Sequence, residues 1–237
     1  MTILEAIQAR HSVRHYLPAP LTAEQAETLQ AKIDEINAKA DLHIQLVQNE
    51  PKCFSRGMAY GQFKGVENYL VVAGRKAPDL DDRVGYYGEQ LVLLAWQLGL
   101  GSCRAGLTYK KQPDRFELDP GEKIACMIAL GTASGEPERT HRRKTVEQVS
   151  NAGNETPEWF RRGVEAALKA PTAVNQQRFR FDYLGTDASG RHLVRASRSF
   201  SLFGYTQMDL GIAKLHFEMG VNEGPWGART FVWEEEH

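Results

Sequence analysis

Three stretches of this chain are apolar on nearly every side, and they limit the available folds more than any other feature. Asn68 to Ala73 and Ile124 to Leu130 are short, β-rich runs without polar alternation, and Gly85 to Leu98 is a helix-length segment that is apolar almost all round. A strand with no polar face needs a layer over both sides. A helix with no polar stripe needs burial on most of its circumference. These runs are therefore expected at the centre of a layered core, with the more polar segments outside them.

The chain can bury such a core. Its 237 residues fit one large domain or two small ones, and 42% apolar against 25% charged residues is ordinary for a globular protein and argues against disorder. The formal net charge of −1 argues against a protein that coats nucleic acid. One basic run, Arg139 to Lys144 with Arg142 and Arg143, reads equally well as a solvated loop or as an anion contact. The longest apolar stretch, Leu91 to Leu100, is broken by Gln97 and falls short of the ~20 residues that a membrane helix needs, so no membrane partner is expected. The N-terminus lacks the basic and apolar regions of a secretory signal, and Cys53, Cys103 and Cys126 form no CxxC pair. A reduced, cytoplasmic protein is the expectation.

Along the chain, Thr2-x-x-Glu5 and Thr22-x-x-Gln25 are capping boxes that open two helices, the second with Leu29, Ile33 and Ile36 on one side. His43 to Val47 reads as a strand, and residues 49–66 as a loop with some helix. Residues 131–157, rich in Gly, Pro, Ser, Asn and charge, read as a surface connection. They place the main boundary near residue 150, between a first half (1–150) and a shorter second half (151–237). In the second half, Thr156 is the expected cap of a helix with Pro157 at its first position. Phe160, Val164 and Leu168 form its stripe, and Ala170-Pro171 ends it. Arg178 to Leu184 alternates as a strand, Thr206 to Met219 is a helix, and Arg229 to Trp233 is a closing strand.

The halves echo each other. Placing Leu98-Gly99-Leu100 on Met219-Gly220-Val221, an offset of 121 residues, pairs Trp96 with Phe217 and Leu94 with Leu215. An internal duplication explains this, as does the general likeness of buried helices.

No P-loop, HExxH, GxSxG or CxxC signature is present. Gly99-Leu100-Gly101-Ser102-Cys103-Arg104 lacks the third glycine of a dinucleotide loop and follows a helix rather than a strand, so a Rossmann site is not expected. Two other segments carry more. In Arg10-His11-Ser12-Val13-Arg14-His15-Tyr16, an extended backbone would put Arg10, Ser12 and Arg14 on one side as donors for a phosphate. The same run also suits a basic helix C-terminus favoured by the macrodipole. Ala170-Pro171-Thr172-Ala173-Val174-Asn175-Gln176-Gln177 sets a hydroxyl and three carboxamides before a strand. Carboxamides donate and accept, as the edge of a planar heterocycle requires, though plain loops hold such clusters too.

Together these segments resemble the FMN-dependent nitroreductase family. Arg10-His11-Ser12-x-Arg14-x-Tyr16 is similar to its N-terminal phosphate motif, and Leu98-Gly99-Leu100-Gly101-Ser102-Cys103-x-x-Gly106 to the loop after its central helix. Ala129-Leu130-Gly131 with Arg143-Lys144-Thr145-Val146-Glu147 resembles its later strand and basic tail. Ala170-Pro171-Thr172-Ala173-Val174-Asn175-x-Gln177 resembles its Ala-Pro-Ser-x-x-Asn-x-Gln motif. The last stands in the second half instead of shortly after the first motif.

The resemblance implies an α+β fold, a nitroreductase-like mixed sheet covered by helices, here as two tandem half-repeats forming a fused pseudo-dimer with one composite FMN site. The implied cofactor-binding residues are Arg10, His11, Ser12, Arg14, Lys64, Gly106, Arg143, Thr172, Ala173, Asn175 and Gln177. Arg10, Ser12 and Arg143 would hold the phosphate, Arg14 would lie near the N1–O2 edge of the flavin, and Lys64 near its pyrimidine edge. The implied activity is two-electron reduction of a nitroaromatic, quinone or similar small acceptor by NADH or NADPH. No side chain is assigned as catalytic and no metal is expected. A non-catalytic flavin- or nucleotide-binding protein, or a degenerate interaction module, is the alternative. A monomer is expected, with a homodimer as the other arrangement. Arg104 and Arg178 depart from the family pattern, which leaves the acceptor open.

Overall fold

The computed structural model describes residues 1–54, 63–135, 142–222 and 231–234. Arg139 of the basic run, the middle of the 49–66 loop and Arg229 lie outside the described residues. The chain divides into two compact units, Ala9–Arg139 and Met1–Gln8 with Thr140–His237. They are called the first and the second unit below.

The first unit opens, after the 10–17 segment, with helix α2 (Ala23–Ala40) and strand β1 (Leu42–Val47). The expected capping box is in place at α2, with Thr22 N donating to Gln25 Oε1 at 3.0 Å and Gln25 N to Thr22 Oγ1 at 3.2 Å. Leu29, Ile33 and Ile36 are buried as their spacing required. Strand β2 (Asn68–Arg75) is buried along all but its last residue. Helix α3 (Leu80–Gln97) begins five residues before the expected Gly85. Strands β3 (Gly101–Ala105) and β4 (Glu122–Gly131) complete a four-stranded sheet in the order β1-β2-β4-β3, antiparallel throughout.

Helices α2 and α3 pack on this sheet. Gly74 lies against Leu80 of α3, where a Cβ would come within 2.8 Å of a Leu80 methyl carbon. Leu70 and Val72 point to that same face by strand alternation. The opposite face, with Tyr69, Val71, Met127, Ala129 and Cys103, packs with Val13, Tyr16, Phe54 and Phe63 in one buried cluster.

In the second unit, α1 (Ile3–Ala9) carries the Thr2–Glu5 box at 2.7 and 3.2 Å. The connection expected over 131–157 holds a one-turn helix, α4 (Val146–Val149), with Thr145 N donating to Gln148 Oε1 at 2.9 Å. Helix α5 (Glu158–Ala167) starts after Pro157, but Thr156 does not cap it. The Thr156 hydroxyl instead closes a turn with Gly153, donating to its carbonyl at 2.8 Å and accepting from its N–H at 3.0 Å.

Strands β5 (Phe179–Thr186) and β6 (His192–Arg198) pair antiparallel. Helix α6 (Thr206–Asn222) follows, and β7 (Phe231–Glu234) runs parallel to β6. The core of this unit is aromatic. Phe217 of α6 has no exposed surface and stacks on Phe181 of β5 at 4.8 Å, with Phe160, Phe231 and Trp233 at 5.6, 5.3 and 5.4 Å. The α+β class expected from the sequence is the class of the fold. Among the described strands, mixed pairing is found in the β5-β6-β7 sheet.

Candidate functional site

Residues 10–17 leave α1 in an extended conformation, and neighbours on three sides hold them there. Val13 N donates to Ser102 O at 2.9 Å, Tyr16 N to Lys64 O at 2.9 Å and Lys64 N to Arg14 O at 3.0 Å. Leu17 N donates to Thr132 O at 2.9 Å, and Ser134 N donates to His15 O at 2.8 Å. Gly101 lets β3 approach this segment, because a Cβ there would lie 2.6 Å from a Val13 methyl carbon. At Gly65, with φ 68, a side chain would overlap the Tyr16 carbonyl oxygen. Gly101 and Gly65 thus allow close approach to the 10–17 segment.

Ser12 and Arg14 are half-buried, and His11 to His15 line a shallow hollow together with Ala133, Ser134 and Gly135. His11 meets the edge of Trp96 at 4.9 Å. Lys64 is exposed and borders a second hollow of about 310 Å³ with Phe54, Phe63 and Glu67. Gly106 follows the last residue of β3.

Arg10 is placed differently from its two companions. Its side chain is only 7% exposed, and its Nε lies 3.9 Å from Glu89 Oε1. Glu89, on α3, has no exposed surface, and its Oε2 is 3.4 Å from Arg104 Nη2. Arg104 also donates to Val84 O at 3.3 Å. A buried carboxyl group thus has two guanidinium groups beside it. Sequence reasoning passed over Glu89. The available signal was an acidic residue inside an otherwise apolar helix, which needs a buried partner.

In the second unit, the carboxamide segment is a tight loop that holds itself together. Thr172 Oγ1 accepts from Gln177 N at 3.1 Å, and a 3₁₀ turn covers Ala173–Asn175. Gln177 is buried. Its Oε1 accepts from Lys144 N at 2.9 Å, and its Nε2 donates to Arg142 O and Asn175 Oδ1, both at 3.2 Å. Asn175 Nδ2 donates to Arg142 O at 2.9 Å. The amides thus staple the basic segment 142–144 to the loop. Arg143 Nη1 donates to Leu168 O at 2.8 Å, satisfying a carbonyl at the end of α5, and burial lowers its pKa from the usual guanidinium value.

Val174, Asn175 and Gln177 have φ of 46, 54 and 45°. Such values cost of order 1–3 kcal/mol each, and a β-branched residue there is a true outlier. The loop is fixed by Asp209 in the first turn of α6. Its Oδ1 accepts from Ala173 N at 2.9 Å and its Oδ2 from Gln176 Nε2 at 2.7 Å.

Elsewhere, His43, Asp119 and Glu122 bring ligand atoms within 4.8 Å of one another. A turn accounts for them. Glu122 N donates to Asp119 O at 3.0 Å across Pro120-Gly121, with Gly121 at φ 88, while Glu122 Oε2 accepts from Asp119 N and meets His43 Nδ1, both at 2.8 Å. Cys53, Cys103 and Cys126 are buried free thiols, and burial and the nearby Glu50 push Cys53 up to about 12. No described helix is long and apolar enough to cross a membrane.

Comparison with known proteins gives a consistent result. A family model described as "Putative TM nitroreductase" matches residues 2–221. No curated protein sequence matches the chain. A crystal structure from Thermotoga maritima, described as a "putative nitroreductase", shares 24% identity at a TM-score of 0.64, over 94% of this chain and 85% of that one. NfrA1 of B. megaterium shares 16% identity at a TM-score of 0.51, over 65% of this chain and 74% of its own. At these identities the two structures establish likeness of fold.

Proposed function

The chain belongs to this nitroreductase family, and from that premise we propose that it is an FMN-dependent oxidoreductase that uses NADH or NADPH to reduce a small acceptor by two electrons. The acceptor would be a nitroaromatic, a quinone or a similar compound. For a quinone, the nicotinamide gives up a hydride equivalent, solvent supplies one proton, and the hydroquinone and oxidised nicotinamide leave. When bound, FMN supplies the redox centre that links donor to acceptor, and the protein supplies placement and electrostatics.

The observation that supports this reading is the extended 10–16 segment, held by backbone hydrogen bonds that include Lys64 N to Arg14 O, with Ser12 and Arg14 lining one hollow. Hydroxyl, guanidinium and ammonium donors suit a phosphate and an electron-rich ring edge. In this reading Arg10 and Ser12 hold the phosphate, Arg14 and Lys64 supply positive charge toward the ring, and His11 and Gly106 shape the surroundings. In the second unit, Thr172, Ala173, Asn175 and Gln177 act by fixing the conformation of their loop, and Arg143 by anchoring the basic segment. The free thiols favour a reducing, cytoplasmic setting. A fused pair of half-repeats, one FMN per chain and a monomeric state belong to the same proposal.

The test is the visible spectrum of the purified protein, with released flavin counted against protein. One FMN per chain, reduced anaerobically by NAD(P)H and reoxidised by added acceptor, is the expected result. Bound flavin that never turns over would point to a binding protein. A colourless protein that takes up no FMN would end the oxidoreductase reading.

A further inference from the structure

The carboxyl of Glu89 is a fully buried group that the proposed reaction does not use. It lies in the first unit, where two guanidinium groups reach it from different elements. Its Oε1 meets Arg10 Nε at 3.9 Å, and its Oε2 meets Arg104 Nη2 at 3.4 Å. Arg104 belongs to β3, two residues beyond Ser102, and the Ser102 carbonyl accepts from Val13 N. The strand that carries Arg104 therefore also holds the 10–17 segment.

Arg104 has a prepared seat on α3. A Cβ at Gly88 would lie 3.3 Å from its Nη1 and 3.4 Å from its Nη2, so the glycine leaves room for the guanidinium along the helix. Arg104 Nη1 donates to Val84 O at 3.3 Å, one turn earlier on the same helix. Arg104 takes the closer share of Glu89, and Arg10 the more distant one. The contact with Arg10 is made at Nε, so it does not commit the Nη end of that fork.

We propose that Glu89 is a positioning residue for Arg10, and that Arg104, by sharing the Glu89 carboxylate, sets how strongly Arg10 engages the phosphate of FMN. The inference rests on the proposed function, which gives Arg10 that phosphate. A carboxylate and a phosphate compete for the same guanidinium, because both accept charge-assisted hydrogen bonds from its fork. Arg104 draws Glu89 toward β3 and α3 and so leaves Arg10 to the phosphate. What Glu89 and Arg104 control is affinity for the phosphate, and not for the flavin ring.

The experiment uses FMN and riboflavin, which share the ring and differ by the phosphate. Fluorescence titration of flavin-free protein gives Kd for both ligands in wild type, Glu89→Gln, Arg104→Met and Arg104→Lys. FMN should bind about fivefold tighter to Glu89→Gln, about fivefold weaker to Arg104→Met and near the wild-type value to Arg104→Lys, with riboflavin within about twofold throughout. A merely structural pair would move FMN and riboflavin together, and that result would overturn the proposal, as would unchanged FMN affinity in the Gln and Met variants. Urea unfolding of the same samples reports whether each variant is folded. If Arg104→Met does not fold, the ratio of FMN to riboflavin affinity in Glu89→Gln decides alone: a rise supports the proposal and no rise overturns it. A wild-type protein that binds both ligands equally, or neither, fails the proposed function itself. A wild-type preference for FMN that no variant alters fails this inference only.

Discussion

The carboxylate of Glu89, which has no exposed surface, lies 3.4 Å from the guanidinium of Arg104. A charge taken out of water this completely is tolerable only with its partners in place. Glu89→Ala should therefore lower the unfolding free energy by about 3–5 kcal/mol in urea titrations. Glu89→Leu combined with Arg104→Leu should lose less than that single change. A single variant within about 1 kcal/mol of wild type would show that the pair is not sustained in solution.

Arg10 faces the same carboxylate from 3.9 Å, so its replacement has two separable effects. Arg10→Ala should weaken FMN binding by about 1.5–3 kcal/mol, or roughly ten- to a hundredfold in Kd, because a charge-assisted contact is lost. It should also destabilise the fold by leaving Glu89 less compensated. Adding Glu89→Gln should recover stability without recovering flavin affinity, as read by fluorescence titration beside urea unfolding. Unchanged flavin affinity in Arg10→Ala would remove this residue from the phosphate assignment.

The contact between α5 and α6 depends on two glycines. A Cβ at Gly163 would come within 2.8 Å of the Phe217 ring, and one at Gly220 within 2.5 Å of Ala166 Cβ and 2.8 Å of Arg162 O. Gly220→Ala should cost about 1–3 kcal/mol by overpacking, despite alanine's better helix propensity. Thermal unfolding measures this, and a rise in Tm would contradict the close approach.

Glu122 gives a pH prediction. Burial opposes its ionisation, yet the His43 hydrogen bond, the Asp119 N–H and the charges of His43 and Arg75 hold its carboxyl below its ordinary value. A depressed carboxyl contributes stability that is present above its unfolded pKa and lost as pH falls through the folded value. Between about pH 5 and pH 3, wild type should lose stability more steeply than Glu122→Gln. Parallel slopes in urea midpoints across that range would show that the turn does not depend on the ionised carboxylate.

Local signals were legible in the sequence, and long-range ones were not. The capping boxes at Thr2 and Thr22 and the buried run Asn68 to Ala73 follow from neighbours close in the chain, and they fold as read. Strand β3 was hidden because Gly101, Ser102 and Arg104 look like a turn. Its pairing with β4, and the room Gly101 makes for Val13, are tertiary facts. Thr156 had the chemistry of a cap, but Gly153 competes for the same hydroxyl. The same limit applies at the candidate site. The sequence named Gln177 and Asn175, while their use as staples for residues 142–144 depends on a contact more than thirty positions away.

The division of the chain also bears on how the protein is made. One unit spans the continuous segment Ala9–Arg139, while the other joins Met1–Gln8 to Thr140–His237. During synthesis the uninterrupted segment leaves the ribosome with all its own strands and helices, and it can mature while the rest is still being translated. Helix α1 precedes the whole first unit in the chain, while the rest of its own unit follows it. Joining α1 to the rest of its unit closes a loop that contains the whole first unit, at an entropic cost that rises only slowly with loop length.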